Sequence, residues 1–361
     1  MKYYIIAGEA SGDLHASNLM KAIRRKDPDA EFRGWGGDKM KAEGAVMVRH
    51  YRETAFMGFW EVLVHLRKIL GFIRQCKLDI QQYQPDKLIL VDYPGFNLRI
   101  AEFARKEGIP VYYYISPQVW AWKASRVHRI KRDVHQMIVI LPFEEAFYAK
   151  YDMKVHFVGH PLLDVIDPSF TDEENEDDKR KIIALLPGSR QQEISNMLPV
   201  MLQAAGAFPE YRFVIAAAPS VDESFYKQCS GKIPVELMRD VRGLLSKATA
   251  ALVTSGTATL ETGLFGVPQV VCYKGSALSF FIARLLVKIK YISLVNLILD
   301  KEAVKELIQG DLNKENVTKE LASILPGGNK REDMITQYKD LRKSLGGQGA
   351  SDRAAQIILE L

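Results

Sequence analysis

At about 150 residues per domain, a chain of 361 residues divides into two domains or slightly more. Hydrophobic residues at 47% and charged residues at 26% sit at the globular average, which excludes a disordered tail, a collagen-like fibre and a polytopic membrane protein. The 49 Lys and Arg against 44 Asp and Glu leave +5, and with few basic residues in any one stretch and no finger, homeodomain or RNP pattern, nucleic acid is the weaker partner.

Residues 3–7 read as a strand that runs straight into Gly8-Glu9-Ala10-Ser11-Gly12-Asp13, which opens a helix through His15 to Lys26. The loop is neither a Walker A sequence nor G-x-G-x-x-G. Gly8, Ser11 and Gly12 suit an anion or sugar, and Asp13 serves equally well as a helix cap. Asp27-Pro28-Asp29 reads as a polar turn rather than a metal site, and Gly34-Trp35-Gly36-Gly37 as a turn admitting a neighbouring chain or a ligand. Between 56 and 77, Phe59, Leu63, Leu66, Leu70 and Ile73 recur at three- and four-residue spacing with Arg67, Lys68 and Arg74 interleaved. That is an amphipathic helix with a basic face, fit for an anionic lipid surface or for an ordinary half-buried position.

The strand at 87–91 ends in Asp92, ahead of Tyr93-Pro94. A carboxylate at a strand tip is partly desolvated, its pKa rises, and it becomes a candidate general base for a sugar hydroxyl. A turn-forming Asp before proline is the competing account. Strands at 111–115 and 137–141 follow, separated by the basic, aromatic stretch 120–132; 279–290 repeats that character. His15 and His160 are further candidate bases, or structural histidines.

The segment 171–178 holds six carboxylates and almost nothing apolar, so 166–180 reads as an acidic linker. The βαβ rhythm restarts with strands at 182–186, 212–216, 250–253 and 269–272 and a helical pattern at 197–207. Ser189 and Arg190 end the loop after the first of these, where a guanidinium fork matches diphosphate oxygens or pairs with Glu193. After 250–253 come Ser255, Gly256 and Thr257, a cap and a close backbone approach at a helix N-terminus that suits phosphate. Glu261, one turn on, is placed for ribose hydroxyls or for solvent. Residues 331–361 are helical in pattern apart from 346–349. The expected organisation is α/β, two Rossmann-like doubly wound parallel-sheet lobes: 1–165, the linker 166–180, 181–335, and a helical segment 336–361 that crosses back to the first lobe or is swapped in a dimer. Three distant cysteines and no H-E-x-x-H or G-x-S-x-G leave metalloprotease and serine-hydrolase chemistry unsupported. The apolar N-terminus carries no secretory features, and a cytoplasmic compartment is the expectation.

The motifs GEASGD (8–13), MGFWEVL (57–63), SPQVWAW (116–122), LPFE (141–144), GHPL (159–162), LPGSR (186–190), SGTATLE (255–261) and ISLVN (292–296) span nearly the whole chain in order. Together they resemble the lipid-A-disaccharide synthase family, glycosyltransferases of family 19. The resemblance implies a GT-B fold and inverting transfer from UDP-2,3-diacylglucosamine to 2,3-diacylglucosamine 1-phosphate (lipid X), giving a β-1,6 disaccharide 1-phosphate and UDP without metal or cofactor. It implies Asp92 as base, Glu9 and Asn296 as further activity-linked residues, and Arg190 with Glu261 at the UDP, alongside Ser189, Ser255, Gly256 and Thr257. Ser116 and Gln118 join Gly8, Ser11 and Gly12 as acceptor or sugar loops. Phe59, Trp60, Leu63, Leu66, Arg67, Lys68, Leu70 and Ile73 match its membrane-docking region, on the cytoplasmic face of a Gram-negative inner membrane, with a homodimer exchanging C-terminal elements. Gly95 stands where many members carry a second aspartate, and Val295 where they carry proline. A UDP-N-acetylglucosamine 2-epimerase-like isomerase and a non-catalytic nucleotide-binding membrane protein are the rival readings.

Overall fold

The structure, a computed structural model, describes residues 1–54, 66–166, 181–231, 233–275 and 290–360. Its chain runs β1 (Lys2–Ala7), α1 (Ala10–Lys26), β2 (Glu31–Gly36), α2 (Asp38–Ala42), β3 (Val46–His50) and α3 (Tyr51–Thr54). It continues through α4 (Leu66–Tyr83), β4 (Lys87–Val91), α5 (Pro94–Lys106), β5 (Val111–Tyr114), α6 (Arg126–Asp133), β6 (Gln136–Val139), α7 (Glu144–Ala149) and β7 (His156–Phe157). A second series follows: β8 (Ile182–Leu186), α8 (Gln191–Gln203), β9 (Arg212–Ala216), α9 (Glu223–Ser230), β10 (Glu236–Met238) and α10 (Val241–Leu245). It closes with β11 (Ala250–Thr254), α11 (Thr257–Leu264), β12 (Gln269–Tyr273), α12 (Leu294–Leu299), β13 (Lys305–Ile308), α13 (Lys314–Ile324), α14 (Arg331–Ser344) and α15 (Ala350–Glu360).

Two compact units result, Met1–Asp164 with Leu345–Leu361, and Val165–Ser344. Each has one sheet, in the orders β3-β2-β1-β4-β5-β6-β7 and β10-β9-β8-β11-β12-β13, and every pair is parallel. The central strands β4, β8 and β11 are buried along their whole length because helices cover both faces, which is why they read as unbroken apolar runs. The strand order reverses between β1 and β4 in one sheet and between β8 and β11 in the other. Loops leaving neighbouring strands there diverge to opposite faces and open a crevice beyond the carboxyl ends.

Two expectations need correction here. Gly34 to Gly36 form no turn but the end of β2, where a Cβ on Gly34 would lie 1.8 Å from the Ile5 carbonyl oxygen and one on Gly36 2.2 Å from Met40 Sδ. The glycines admit the adjacent strand and helix. Asp13 does not cap its own helix; buried, it accepts from the amides of Gly37, Lys39 and Met40 and so caps α2. Most of the acidic segment 166–180, with 279–289, lies outside the described residues.

The helical C-terminus divides. Met334 and Tyr338 of α14 pack beside Gln269 in the second unit, while α15 lies on α1 in the first. Asp164 fixes the return by accepting from the amides of Gly349, Ala350 and Ser351 at 2.7, 3.1 and 2.9 Å and from Ser351 Oγ at 2.8 Å. Asp164→Ala leaves those donors without an acceptor at a helix N-terminus, so it should destabilise the first unit by about 2 kcal/mol. Urea unfolding should show Asp164→Asn between it and wild type.

Candidate active site

In the first unit the reversal point is built from Gly8-Glu9 after β1 and Asp92-Tyr93 after β4. Asp92 and Tyr93 both take left-handed backbone conformations, with φ of 46° and 52°. For residues with a Cβ this costs roughly 1 kcal/mol each, so the surroundings must impose it. Pro94 at the first position of α5 fixes the exit of the turn. The Tyr93 ring lies against Gly8, where any Cβ would come within 2.2 Å of it. Asp92 is partly buried; that burial, and then the like charge of Glu9, push its pKa up to about 6, against the pull of the Tyr93 amide. Glu9, at the N-cap of α1, is half-buried. Gly95 is exposed and its missing side chain leaves Asp92 the sole carboxylate of the loop 92–97.

Of the other first-unit candidates, Ser11 is exposed in the first turn of α1 and Gln118 in the loop after β5, and Gly12 lets α1 approach β1, its added Cβ meeting Ala7 Cβ at 3.4 Å. Ser116 is buried instead, its hydroxyl 2.7 Å from that of Tyr148 and donating to the Pro117 carbonyl, so it holds the loop rather than offering itself to a sugar. Sequence reasoning named LPFE without isolating Glu144. This buried carboxyl accepts from the Ile140 and Leu141 amides, and burial raises its pKa to about 7. His160 is buried and kept neutral, its pKa pushed down to about 3 by burial and then by His15, which makes it structural.

In the second unit the reversal point joins the loop Pro187 to Arg190 with the loop Thr254 to Thr257. Glu193 bridges the first of these, accepting from the Ser189 amide at 3.0 Å and from Arg190 Nη1 at 3.2 Å. Both Ser189 and Arg190 are exposed. Gly256, with φ of 143°, is the N-cap of α11, and no side chain caps that helix. The expected capping by Ser255 or Thr257 does not occur: Ser255 Oγ donates to the Ile292 carbonyl at 2.8 Å, and Thr257 opens the helix exposed. The Thr259 amide donates to the Gly256 carbonyl at 3.2 Å, and neither Ser255 nor Thr257 takes up the amides ahead of it, which suits an anion. Glu261 pairs with Arg242 at 3.2 Å, a residue of α10 that no motif signalled.

Asn296, expected among the activity-linked residues, has its amide turned into the protein. It is fully buried, its carboxamide nitrogen donating to the Val304 carbonyl and to Glu306, its oxygen accepting from the Ala303 and Val304 amides. Every hydrogen-bonding position of the amide is spent inside the protein. Glu306 also accepts from the Ile292 and Ser293 amides, and Ile292 receives Ser255. Asn296 thus supports the loop ahead of α11 at second hand.

The expected membrane region is divided as well. Phe59, Trp60, Leu63 and the side chain of Leu66 lie outside the described residues. Ile73 belongs to the core, with Ile69, Cys76 and Ile80 along one stripe of α4, because that stripe faces the sheet. Leu70, off the stripe, is 52% exposed and Leu78 49%, beside exposed Arg67, Lys68 and Arg74. Ahead of α6, Trp122 is 41% exposed with Lys123 and Arg126 over its ring at 4.7 and 5.1 Å.

A family profile described as lipid-A-disaccharide synthetase matches residues 3–361. The chain belongs to the lipid-A-disaccharide synthase family. It is 42% identical to the lipid-A-disaccharide synthase of Syntrophus aciditrophicus, over 99% of this chain and 97% of that one, and 37% identical to that of Myxococcus xanthus, over 99% and 96%. Among solved structures it resembles the glycosyltransferase of kitacinnamycin (TM-score 0.66, 15% identity, 99% and 98% of the two chains). It also resembles a UDP-GlcNAc 2-epimerase from Neisseria meningitidis bound to UDP-GlcNAc (TM-score 0.65, 12% identity, 100% and 99%). At such identities the likeness is one of architecture, the two-lobed α/β fold common to both activities. Family membership decides between them: this lipid-A-disaccharide synthase is a glycosyltransferase. Among the described residues no group of His, Cys, Asp and Glu could hold a metal, and no helix is long and apolar enough to cross a membrane.

Asn296→Ala should destabilise the second unit by about 3 kcal/mol, since four hydrogen bonds of a buried amide are lost. Chemical denaturation measures this. Lost turnover with an unchanged midpoint would put Asn296 on the substrate.

Proposed function

We propose that the protein joins UDP-2,3-diacylglucosamine to 2,3-diacylglucosamine 1-phosphate with inversion at the anomeric carbon, Asp92 serving as the base. Asp92 takes the proton of the acceptor's 6-hydroxyl as that oxygen bonds to C1 of the donor sugar and the bond from C1 to the UDP oxygen breaks. The leaving diphosphate meets Arg190 and the uncapped amides of α11, and Glu261 takes the ribose. These groups supply the neutralising charge, so the reading assigns no metal to the step. The observation that carries it is the Asp92 carboxyl, held at the reversal point of the first sheet with a pKa of about 6. A base must be unprotonated to work and is best matched near the working pH.

The family relation, the exposed apolar and basic face of α4 and the Trp122 cluster support peripheral attachment to an anionic inner-membrane surface, where both lipid substrates reside. A dimer with exchanged C-terminal elements belongs to the same reading.

Asp92→Asn should lower kcat by ~10²–10⁴-fold while UDP binding is retained. In wild type kcat/KM should fall as pH drops through about 6, because the raised pKa leaves Asp92 protonated below it. Glu9→Gln removes the like charge, lowers that pKa and should move the acid limb to lower pH; an unmoved limb would mean that the limb reports another group.

For the surface, sedimentation with phosphatidylglycerol vesicles should decline with salt and on replacing Arg67, Lys68 and Arg74 together by Gln, each cation contributing about 1 kcal/mol. Indifference to lipid charge would sink that part.

A further inference from the structure

The Asp92 carbonyl oxygen accepts two side-chain hydrogen bonds, from the Tyr113 hydroxyl at 2.6 Å and from the Asn97 carboxamide nitrogen at 2.7 Å. Neither donor faces solvent: both residues are fully buried. Tyr113 comes from β5, where Leu90 of β4 is its register partner, and Asn97 from the first turn of α5. Two separate elements therefore converge on one backbone atom of the left-handed pair. A carbonyl oxygen has two lone pairs, and both are used. The same Asn97 nitrogen lies 3.3 Å from the Val91 carbonyl, which ties the last residue of β4 to the helix as well. Burial, and then the charge of Asp92, raise the Tyr113 pKa well above its ordinary value, so the hydroxyl keeps the proton it donates to the Asp92 carbonyl.

The conformation held this way is one that Asp and Tyr adopt at a cost. Rotation of the Asp92-Tyr93 peptide back to a right-handed or extended state would carry the carbonyl away from both donors and swing the carboxylate with it. We propose that Tyr113 and Asn97 are positioning residues for Asp92, clamping its carbonyl so that the left-handed turn, and with it the direction of the carboxylate, is fixed before substrate arrives. This rests on the reading of Asp92 as the base and extends it from the reacting group to the groups that aim it.

Tyr113→Phe keeps the buried ring and deletes one donor; Asn97→Ala deletes the other. Each is measured with the two diacylated substrates in mixed micelles, alone and combined with Asp92→Asn. A misdirected base slows the chemical step without weakening binding, so kcat should fall ~10–100-fold in each single variant at unchanged KM for both substrates. In the Asp92→Asn background neither change should cost more than about twofold, because nothing remains to be aimed. Equal losses in the two backgrounds, wild-type kcat in both single variants, or a loss carried by KM would overturn the clamp while leaving the base in place. Near wild-type turnover by Asp92→Asn alone would remove the base and the clamp together. Should Tyr113→Phe fail to fold, Asn97→Ala carries the same comparison.

Discussion

Glycine at position 8 lets the ring of Tyr93 rest directly on the backbone that leaves β1, and this contact is possible only because β1 and β4 are neighbours at the point where the strand order reverses. Everything acidic in the first site follows from it. Tyr93 pinned against Gly8 holds one end of the left-handed pair, Pro94 holds the other, and Asp92 is left beside Glu9 with its carboxyl partly out of water. The two left-handed residues cost roughly 2 kcal/mol together, an expense that a merely structural turn would avoid by using glycine. Strain retained at the tip of the central strand, beside a like-charged partner, fits the proposed role of Asp92 as a base with a raised pKa and a fixed direction.

The second unit solves a different problem by the same topology. There the proposed reading asks for accessible amides rather than a shifted carboxyl, and Ser255, which would cap α11, is diverted. Ser255 is turned toward Ile292, which is held from the other side by Glu306, itself held by Asn296. A chain of hydrogen bonds thus runs from the ISLVN motif to the SGTATLE motif. Through it a buried asparagine supports the loop that leads into the α11 N-terminus without reaching a substrate.

The parts legible in sequence were those where burial is symmetric. β4, β8 and β11 are apolar throughout because both faces are covered, and their tips marked Asp92, Arg190 and Ser255 directly. The end of β2 was read as a turn because Gly34 and Gly36, needed for close packing against Ile5 and Met40, look like turn residues. β10 and β13 are a three-residue strand and the charged sequence KELI, each at the edge of its sheet. Arg242 was invisible because its ion pair with Glu261 joins side chains of two separate helices, a tertiary fact with no local pattern. Ile73 was drawn into the membrane face by spacing that the core-facing stripe of α4 shares. Periodicity says that a helix has an apolar side; it does not say what lies against it.

On the proposed reading, the pairing of Arg190 with Glu193 and a role at the diphosphate need not compete. Its contact with Glu193 is exposed on both sides, and such pairs contribute only about 0–1 kcal/mol. On that reading a diphosphate would offer the guanidinium two oxygens in the fork geometry it prefers and more charge than one carboxylate. Glu193 also accepts from the Ser189 amide, which means that one carboxylate covers two donors that an incoming anion would use. Until then it keeps a cation and an amide aligned at the end of β8, holding the loop near its bound arrangement at little cost in affinity.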